Sequence, residues 1–397
     1  MSESLLTGAA RPPEGETPAV PPYDVAIVGA GPAGLATALA LRRHDPGRSI
    51  VVLAGPTSTR RKIGETLPPG AQAVLRSLGV WEEFLASEPL AAFGTSSAWG
   101  RDRLEENEFI FHPDRRGWHI DRRKFDAVLL AAAERCDIAI WRDTTLVDAR
   151  RRDECWNMEV RQPHAGAQRL DARFVVDATG RAAHFASQMG ARRVTDDQLV
   201  AVCVNYLSAS PLQDTYALVE ARPEGWWYSA VQPDGRLAVA CFTDADLARD
   251  LRLRDPAGWR AALQRTSHTR ARVAPAVADD VPALRPADSG ALDRPTGTAW
   301  LATGDAVSTF DPLSSQGVMK ALRQGALAAY AAFDHLRGDA AALPKYAAFA
   351  ERAYREFIEV KRDFYRREIR WPDAPFWARR RGPAVVPEPE LLAGQIA

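Results

Sequence analysis

Short apolar runs and helical patterns alternate along the first part of the chain. Residues 25–28 form one apolar run and residues 49–53 another, with an Ala- and Leu-rich segment between them. Apolar runs of this length favour buried strands, and the segment between them favours a helix. The pattern predicts two parallel strands joined by a right-handed crossover helix.

A different pattern, the alternation of apolar and polar positions, follows later in the chain. It occurs in short stretches over residues 92–110 and more continuously over residues 199–242, where Pro-Asp-Gly at 233–235 marks a hairpin turn. These stretches predict an antiparallel sheet in a separate layer. Further strands are predicted at 147–160, 169–176 and 299–303, and helices at 71–85, 259–272, 317–336 and 344–370.

Composition narrows the classes of function. Lys and Arg total 51, as do Asp and Glu, so no net charge favours nucleic acid or an anionic membrane. The four cysteines are widely spaced and the seven histidines form no ligand-spaced cluster, which predicts reduced thiols and no metal site. No apolar run is long enough to span a membrane. The first residues lack a basic-then-apolar signal pattern, and a cytoplasmic protein is expected.

The turn after the first predicted strand carries the sequence G-A-G-P-A-G. Gly29 permits a tight turn, Gly31 leaves room for a pyrophosphate, and Gly34 lets the helix lie close to the strand. Pro32 and Ala33 begin the helix, whose free N–H groups and partial positive charge would face the phosphates. In this strand–turn–helix context the motif predicts a bound dinucleotide.

The second predicted strand departs from the usual dinucleotide-binding pattern. Such folds place an acidic residue at the end of this strand to accept hydrogen bonds from the ribose hydroxyls. Here Ala54 and Gly55 occupy that position. Thr57, Ser58 or Arg60 is expected to replace the missing contact, and weaker adenosine binding is expected.

Three more motifs follow in a specific order: D-R-R-K-F-D at 121–126, D-A-T-G-R at 177–181, and G-D-A-V-S-T-F-D-P-L-S-S-Q-G at 304–317. This order resembles the flavoprotein monooxygenases of the para-hydroxybenzoate hydroxylase type. The resemblance implies FAD as the cofactor, with Arg122 contacting it and Asp305 holding its ribityl or pyrophosphate part. The expected cofactor-binding residues are Gly29, Gly31, Pro32, Ala33, Gly34, Glu65, Arg122, Gly180, Asp305, Pro312, Ser315, Gln316 and Gly317.

The loop at 312–317 also has a physical logic of its own. A predicted strand ends at Thr303, a loop follows, and a helix begins near Gly317. The N-terminus of that helix would stabilise the negative charge on the pyrimidine ring of a reduced flavin. Gly317 would allow the isoalloxazine ring to approach the backbone closely.

Within this superfamily the chain is more similar to the tryptophan-halogenase-like branch. K-I-G-E-T-L-P at 62–68 resembles the strap that covers the flavin in that branch, but G-W-W-Y-S-A at 225–230 is a poor match to its W-x-W-x-I-P motif. Halogenases use a Lys shortly after the strap to relay hypohalous acid. Here Ala73 falls near that place, and no Lys occurs between Ile63 and Arg123. Halogenation therefore lacks the catalyst that this resemblance requires.

A closer similarity is to the maturation flavoproteins that act beside quinone-cofactor enzymes, the LodB/GoxB/QhpG group. The matching segments are G-E-T-L-P-P at 64–69, G-W-W-Y-S-A at 225–230, D-P-L-S-S-Q-G-V-M-K-A-L at 311–322 and R-W-P-D-A-P-F-W-A-R-R at 370–380. This resemblance implies hydroxylation of a tryptophan side chain in a partner polypeptide, as a first step toward a tryptophylquinone.

Four side chains are candidates for catalysis: Glu65, Trp226, Tyr228 and Lys320. Trp226 and Tyr228, with Trp227, would line an aromatic cage for a planar substrate, or they would fill the core instead. Lys320 would neutralise reduced flavin or would be a surface helix charge. Glu65 would act as an acid or base, or it would hold the strap by a hydrogen bond.

Three aromatic or imidazole features have no assigned role. His112 and His119 show no catalytic partner in the sequence. Phe376 and Trp377 are expected to dock either on the body of the protein or on a partner protein.

Together these features predict an α/β fold. It consists of a Rossmann-like FAD-binding domain of the glutathione-reductase and para-hydroxybenzoate-hydroxylase type, an inserted antiparallel-sheet substrate domain, and C-terminal helices. The predicted segments are a flexible arm (1–22), an FAD-binding domain (23–90, 116–198 and 296–336), a substrate domain (91–115 and 199–295), and C-terminal helices with a tail (337–397).

The expected reaction uses FAD reduced by NAD(P)H or by a partner flavin reductase, because no second GxGxxG marks a separate nicotinamide domain. Three alternatives stay open. One is a small-molecule aromatic hydroxylase, and another is a halogenase-like or geranylgeranyl-reductase-like flavoenzyme. The third, of a different class, is an FAD-binding maturation scaffold that oxidises nothing.

Overall fold

The computed structural model describes residues 21–56, 65–208 and 215–381. Short 3₁₀ helices occur at Phe109–Phe111, Gly180–Ala182 and Pro312–Ser314. The α-helices are Pro32–His44 (α1), Ala71–Ser77 (α2), Trp81–Ala86 (α3), Arg122–Arg135 (α4), His184–Gln188 (α5), Ala245–Asp250 (α6), Pro256–Gln264 (α7), His268–Val273 (α8), Gly317–Leu336 (α9), Ala342–Arg366 (α10) and Pro375–Arg381 (α11). The strands are Tyr23–Val28 (β1), Ile50–Leu53 (β2), Glu65–Leu67 (β3), Leu90–Ala92 (β4), Gly94–Ala98 (β5), Glu105–Glu108 (β6), Gly117–Ile120 (β7), Ala139–Trp141 (β8), Thr145–Arg152 (β9), Cys155–Gln162 (β10), Gly166–Asp177 (β11), Arg193–Thr195 (β12), Leu199–Ser208 (β13), Ala217–Arg222 (β14), Gly225–Val231 (β15), Leu237–Asp244 (β16), Ala276–Ala278 (β17), Ala283–Pro286 (β18), Gly290–Leu292 (β19), Thr296–Gly297 (β20), Trp300–Ala302 (β21) and Ser308–Thr309 (β22).

Strand β1 lies in the middle of the first sheet. It pairs in parallel with β2 on one side and with β11 on the other, and β11 pairs in parallel with β21. Helix α1 connects β1 to β2, as the apolar pattern predicts. All four residues from Val25 to Val28 are buried. Helices α1, α4 and α9 cover one face of the sheet, and β9, β10 and α5 cover the other. The carboxyl ends of β1, β11 and β21 meet at one edge.

The second sheet has the order β17-β13-β16-β15-β14-β5-β6 and is antiparallel except where β14 meets β5. Its two faces pack against different helices. On one face Trp227 contacts Trp259 of α7, and on the other face Trp226 lies in a cluster with Tyr365 of α10 and Trp377 of α11. The C-terminal helices therefore cover one side of this sheet. The predicted α/β fold with an antiparallel sheet and C-terminal helices is confirmed.

Two smaller sheets join the large ones. Strand β7 pairs with both β3 and β4, so that the strap segment is fixed to the strand that leads into α4. Strand β19 pairs with both β12 and β22 where the chain passes between the two large sheets. Glu65 of β3 lines a groove at the edge where β1, β11 and β21 end.

Three predicted elements are interrupted. The helix expected over 259–272 is two helices, α7 and α8, with residues 265–267 between them. The helix expected over 71–85 is two helices, because Gly79 adopts a left-handed conformation (φ +73°) between α2 and α3. The strand expected over 147–160 is the hairpin β9–β10, which turns at Asp153 with φ +51°. In each case the apolar pattern continues through the turn, so the pattern alone does not show where the element breaks.

Several predictions concern residues that fall outside the described ranges. These are all but the last two residues of the arm at 1–22, the tail after 381, the strap residues before Glu65, and the three residues suggested for the ribose contact, Thr57, Ser58 and Arg60. Within the described ranges, no helix combines the length and apolar character needed to cross a bilayer. Over the same residues, no group of His, Cys, Asp and Glu is arranged to hold a metal ion.

Candidate FAD site

A groove of about 630 Å³ opens at the edge where β1, β11 and β21 end. Its lining combines backbone from the glycine turn, the strap, the start of α4 and the start of α9. The residues that line it are Val28, Gly29, Gly31, Pro32, Ala33, Leu53, Gly55, Pro56, Glu65, Arg122, Thr144, Thr145, Leu146, Ala178, Thr179, Gly180, Ala182, His184, Asp305, Gly317, Val318 and Ala321.

The three glycines of the turn have different surroundings. A Cβ atom on Gly29 would lie 2.4 Å from the carbonyl oxygen of Ala178, and one on Gly34 would lie 2.0 Å from the carbonyl oxygen of Gly29. These two positions are closed by the packing of α1 on the sheet. A Cβ atom on Gly31 would meet no atom within 4 Å. Its free side therefore faces the groove.

The start of α1 offers hydrogen-bond donors to the groove. Pro32 occupies the first turn, and the N-cap residue Gly31 has no side chain to cap the helix. The unpaired N–H groups and the partial positive charge of the helix end favour an anion at this point. The turn and the helix start thus provide a phosphate-binding cradle that a side chain at position 31 would fill.

Arg122 brings a buried positive charge to the strap side of the groove. It is the first residue of α4, whose N-cap Asp121 accepts hydrogen bonds from the N–H groups of Arg123 (2.8 Å) and Lys124. Its guanidinium forms an ion pair with Glu65 and a longer one with Asp126 (3.4 Å). Burial opposes the charge, but the two carboxylates outweigh it and raise the pKa of Arg122. Arg122 is therefore cationic at every accessible pH.

Glu65 is held by this pair at the groove. Its side chain is 38% exposed and contacts the guanidinium of Arg122. The ion pair joins β3 to α4 and so fixes the strap beside the cofactor groove. The alternative that Glu65 holds the strap, which the sequence left open beside an acid–base role, matches this contact.

Asp305 and Lys320 form the second charged pair of the site. Lys320 Nζ lies 2.9 Å from Asp305 Oδ1, donates to the carbonyl oxygen of Ser308, and sits 4.5 Å from the ring centre of Phe310. The carboxylate of Asp305 is 42% exposed, whereas the Lys320 side chain is 6% exposed. Burial would raise the pKa of Asp305, but Lys320, Arg181 and Arg122 together outweigh burial and lower it. Asp305 is thus ionised on the groove side, and Lys320 supports it from behind.

The aromatic residues of β15 do not form one cage. Trp226 is 1% exposed, stacks on Phe242 with ring centres 3.9 Å apart, and donates from Nε1 to the hydroxyl of Tyr365 (3.0 Å). Trp227 lies on the opposite face of the sheet, because successive side chains of a strand alternate. The two indole rings therefore pack in separate cores, and neither lines the groove. This corrects the expectation of a shared aromatic cage.

Tyr228 instead belongs to a hydrogen-bonded chain beneath the strap. Its hydroxyl lies 3.0 Å from Thr66 Oγ1, which lies 2.8 Å from His119 Nδ1. His119 Nε2 lies 2.8 Å from the carbonyl oxygen of Thr215, which can only accept, so Nε2 carries a proton and donates it. Burial raises the pKa of Tyr228, so its hydroxyl stays protonated. His119 has no visible partner in the sequence, because Thr66 and Tyr228 lie far away along the chain.

The loop from Asp311 to Gly317 approaches the groove from the other side. Pro312 begins a 3₁₀ turn that ends at Ser315, which has a left-handed conformation (φ +49°), and Gln316 is the N-cap of α9. Within this loop Gly317 lines the groove, and a Cβ atom on it would meet no atom within 4 Å. Gly180, with φ +66°, lines the groove at the end of β11.

The sequence of the chain is similar to known FAD-binding proteins. A model of the FAD-binding-domain family matches residues 22–355. The chain belongs to this FAD-binding family. It is 30% identical over 369 residues to LodB of Marinomonas mediterranea, described as an FAD-dependent oxidoreductase, and the match covers 90% of this chain and 96% of LodB.

Two solved structures share the fold of this chain. The flavin-dependent halogenase CmlS superposes with a TM-score of 0.82 at 23% identity, over 92% of this chain and 69% of CmlS. QhpG, a peptidyl tryptophan dihydroxylase essential for tryptophylquinone cofactor biogenesis, superposes with a TM-score of 0.71 at 24% identity, over 95% of this chain and 81% of QhpG. The chain is thus a member of an FAD-binding family that has the same fold as CmlS and QhpG.

The groove fits the cofactor of this family. The open side of Gly31 at the start of α1, the cationic Arg122 and the open side of Gly317 at the start of α9 supply the contacts that a diphosphate and a flavin ring require. At the end of β2, where an acidic residue is usual, Gly55 and Pro56 line the groove and offer no carboxylate.

Proposed function

We propose that this enzyme hydroxylates the indole ring of a tryptophan side chain in a partner polypeptide, as a step in quinone-cofactor biogenesis. The similarity to LodB over nearly the full length of both chains and the shared fold of QhpG support the proposal. The observation that carries it against halogenation is that no Lys occurs between Ile63 and Arg123, the stretch in which the halogenase Lys would fall. Ala73, near the place of the halogenase Lys, is an exposed residue of α2.

The chain's own residues would hold FAD and position the substrate. The turn at Gly31 and the start of α1 would bind the diphosphate, Arg122 and Asp305 would contact the middle of the cofactor, and the loop ending at Gly317 would face the flavin ring. Reduced FAD supplies, with dioxygen, an electrophilic oxygen for an electron-rich ring. Tyr228, protonated and hydrogen-bonded to Thr66, would orient the strap over the substrate.

We also propose that the two large sheets belong to domains with different roles, one binding FAD and the other binding the substrate. Residues 23–90, 116–198 and 296–336 would bind FAD, and residues 91–115 and 199–295 would bind the substrate. This division is supported by β5 and β6, which join β14 in the second sheet although they precede α4 in the chain. The source of electrons would be NAD(P)H or a partner flavin reductase.

The test is oxidation of a peptide by purified enzyme. The protein is incubated with FAD, a chemical or enzymatic reductant, dioxygen, and either a tryptophan-containing peptide of the partner or free tryptophan, with chloride and bromide present. A gain of one or two oxygen atoms on the peptide tryptophan supports the proposal. Halogenated product, oxidation of free tryptophan alone, or reductant consumption that yields only hydrogen peroxide contradicts it.

A variant without FAD is the matched control. Gly31→Val is chosen because its side chain would enter the groove without contacting the fold. Product formed by this variant at the wild-type rate would show that the oxidation does not depend on the bound cofactor.

A further inference from the structure

A buried junction connects three distant parts of the chain. Tyr365 of α10 donates from its hydroxyl to Asp311 Oδ2 (2.8 Å) and accepts a hydrogen bond from Trp226 Nε1 of β15 (3.0 Å). Tyr365, Asp311 and Trp226 are each 1% exposed. The hydroxyl group of Tyr365 therefore links the second sheet, helix α10 and the loop that leads to Gly317.

Asp311 uses its two oxygens for different contacts. Oδ1 accepts from the N–H of Leu313 (2.9 Å) and so caps the 3₁₀ turn of the loop, while Oδ2 accepts from Tyr365. The turn then ends at Ser315, whose left-handed conformation costs energy for a residue other than glycine. Such a conformation persists only where neighbouring contacts fix it, and Asp311 provides such contacts.

Lys361, one turn before Tyr365 on α10, supplies the positive charge for this junction. Its Nζ forms an ion pair with Asp197, lies 2.8 Å from Ser289 Oγ and 3.8 Å from Asp311 Oδ2. A single ammonium group, 10% exposed, thus faces the buried carboxylate of Asp311 and the 11% exposed carboxylate of Asp197. Removing it would take away the ammonium group that both carboxylates face, which is unfavourable for charges held away from water.

The position of α10 is itself fixed by the segment that follows it. Trp377 of α11 donates from Nε1 to the carbonyl oxygen of Arg222 (2.8 Å), and Arg380 pairs with Asp244 (2.6 Å). Both contacts reach strands of the second sheet, β14 and β16. The junction therefore transmits the position of that sheet to the loop.

We propose that Tyr365 and Lys361 are positioning residues that hold the loop 311–317 in the conformation that receives the flavin ring. The inference rests on the proposed placement of FAD against Gly317, and it assigns to Trp226 a role through Tyr365 rather than through contact with substrate. Neither Tyr365 nor Lys361 lines the groove, so both act on the cofactor through Asp311.

The test compares two Tyr→Phe variants that each remove the hydroxyl partner of a buried Trp. Tyr365→Phe breaks the junction, and Tyr206→Phe removes the acceptor of Trp259 Nε1 (2.6 Å) on the opposite face of the second sheet. Both are expected to lower Tm to a similar extent. Only Tyr365→Phe is expected to raise the FAD dissociation constant, by about five- to tenfold, and to shift the visible absorption band of the bound flavin.

A double-mutant cycle shows whether the effect passes through Asp311. Asp311→Asn keeps an oxygen for the Leu313 N–H but loses the carboxylate, and the double variant with Tyr365→Phe is expected to bind FAD no more weakly than the weaker single variant. Unchanged FAD affinity and spectrum in Tyr365→Phe would overturn the proposal, as would an equal change in Tyr206→Phe or fully additive effects in the cycle.

These measurements are independent of the substrate. FAD titration and flavin absorbance need no peptide, so a wrong substrate in the proposed function would leave their outcome unchanged. Conversely, if the wild-type protein oxidises the peptide while Tyr365→Phe binds FAD normally, the proposed function stands and this inference fails.

Discussion

At the scale of single residues, the glycines of the turn differ in what a side chain would contact. At two of them it would clash with the fold, and at the third it would enter the cofactor groove. Gly29 and Gly34 are closed by backbone contacts, whereas Gly31 has open space where a side chain would be. The sequence motif treats the three alike. Their different surroundings make it possible to remove the cofactor without unfolding the protein.

Gly31→Val is expected to fold normally and to lose FAD binding. The residue has an ordinary extended conformation (φ −83°), and its side chain would occupy the phosphate position in the groove. The measurement is FAD titration by absorbance, combined with a thermal melt of the apoprotein. Yellow protein at normal stoichiometry would contradict the expectation.

The matched change at Gly34 is expected to destabilise the fold, whereas Gly31→Val is expected to block FAD binding. In Gly34→Ala the new Cβ would lie 2.0 Å from the carbonyl oxygen of Gly29, so α1 must shift away from the sheet. We expect a loss of about 2 kcal/mol or more in the free energy of unfolding, within the range for overpacked sites. A stable Gly34→Ala variant would show that the helix contact is looser than described.

Ala73→Lys is expected not to create a halogenase. Position 73 is exposed on α2 and is not among the residues that line the groove, so the new ammonium group would face solvent. Product is analysed by mass spectrometry after incubation with FAD, reductant, dioxygen and chloride. Chlorinated tryptophan from this single change would refute the assignment of the groove.

At the scale of elements, charged pairs attach α10 to the rest of the protein. Asp197 and Lys361 form such a pair, and the Asp197 side chain is 11% exposed. Burial would raise the pKa of Asp197, but Lys361 and the N–H of Leu199 outweigh it and lower the pKa. The pair therefore stabilises the fold while Asp197 is ionised.

The pH dependence of Asp197→Asn follows from that direction. Because the folded-state pKa lies below the unfolded value of about 3.9, the stabilisation is complete above that value and is lost as the pH falls through the folded-state pKa. We expect the variant to be about 3 kcal/mol less stable at neutral pH. The gap should narrow toward pH 2 in urea unfolding, and a gap independent of pH would contradict the ion-pair explanation.

Elements with a local pattern could be predicted from the sequence, and contacts between distant elements could not. The helix expected at 317–336 is present with those bounds, and β1 with its turn and α1 follow directly from apolar periodicity and glycine spacing. The bond from Trp226 to Tyr365 spans 139 residues. Alternation along β15 places Trp226 and Trp227 on opposite faces, but it does not say which face meets the groove.

The same limit applies to the candidate site. Gly29, Gly31, Arg122 and Asp305 line the groove, as their motifs led us to expect, whereas Gly34 of the same turn does not. Lys320 does not, because its ammonium group is drawn back to Asp305 and the carbonyl oxygen of Ser308. The direction of the Lys320 side chain depends on which side of α9 faces β22. Apolar spacing within α9 does not determine that side.

At the scale of the whole molecule, α11 covers part of one face of the second sheet. Phe376 and Trp377 are fully buried on the body of the protein, which decides between the two docking alternatives left open by the sequence. Trp377 packs against Trp99, Tyr365 and Phe376 and donates to Arg222. The end of the described chain is thus an integral part of the core.

Trp377→Ala is expected to lower the free energy of unfolding by about 3–5 kcal/mol, because it removes a fully buried indole and leaves a cavity. Phe364→Ala, at a site 41% exposed on α10, should cost much less. Urea unfolding of both variants checks the difference. Equal losses would indicate that α11 is not packed as described.

The order in which the chain is synthesised gives the junction at Tyr365 one more consequence. Trp226 and Asp311 leave the ribosome well before the residues of α10 and α11 that complete their contacts. A nascent polypeptide therefore carries the glycine turn long before it can fix the loop at 311–317. Coenzyme loading should accordingly be finished only after α10 and α11 have been synthesised and packed.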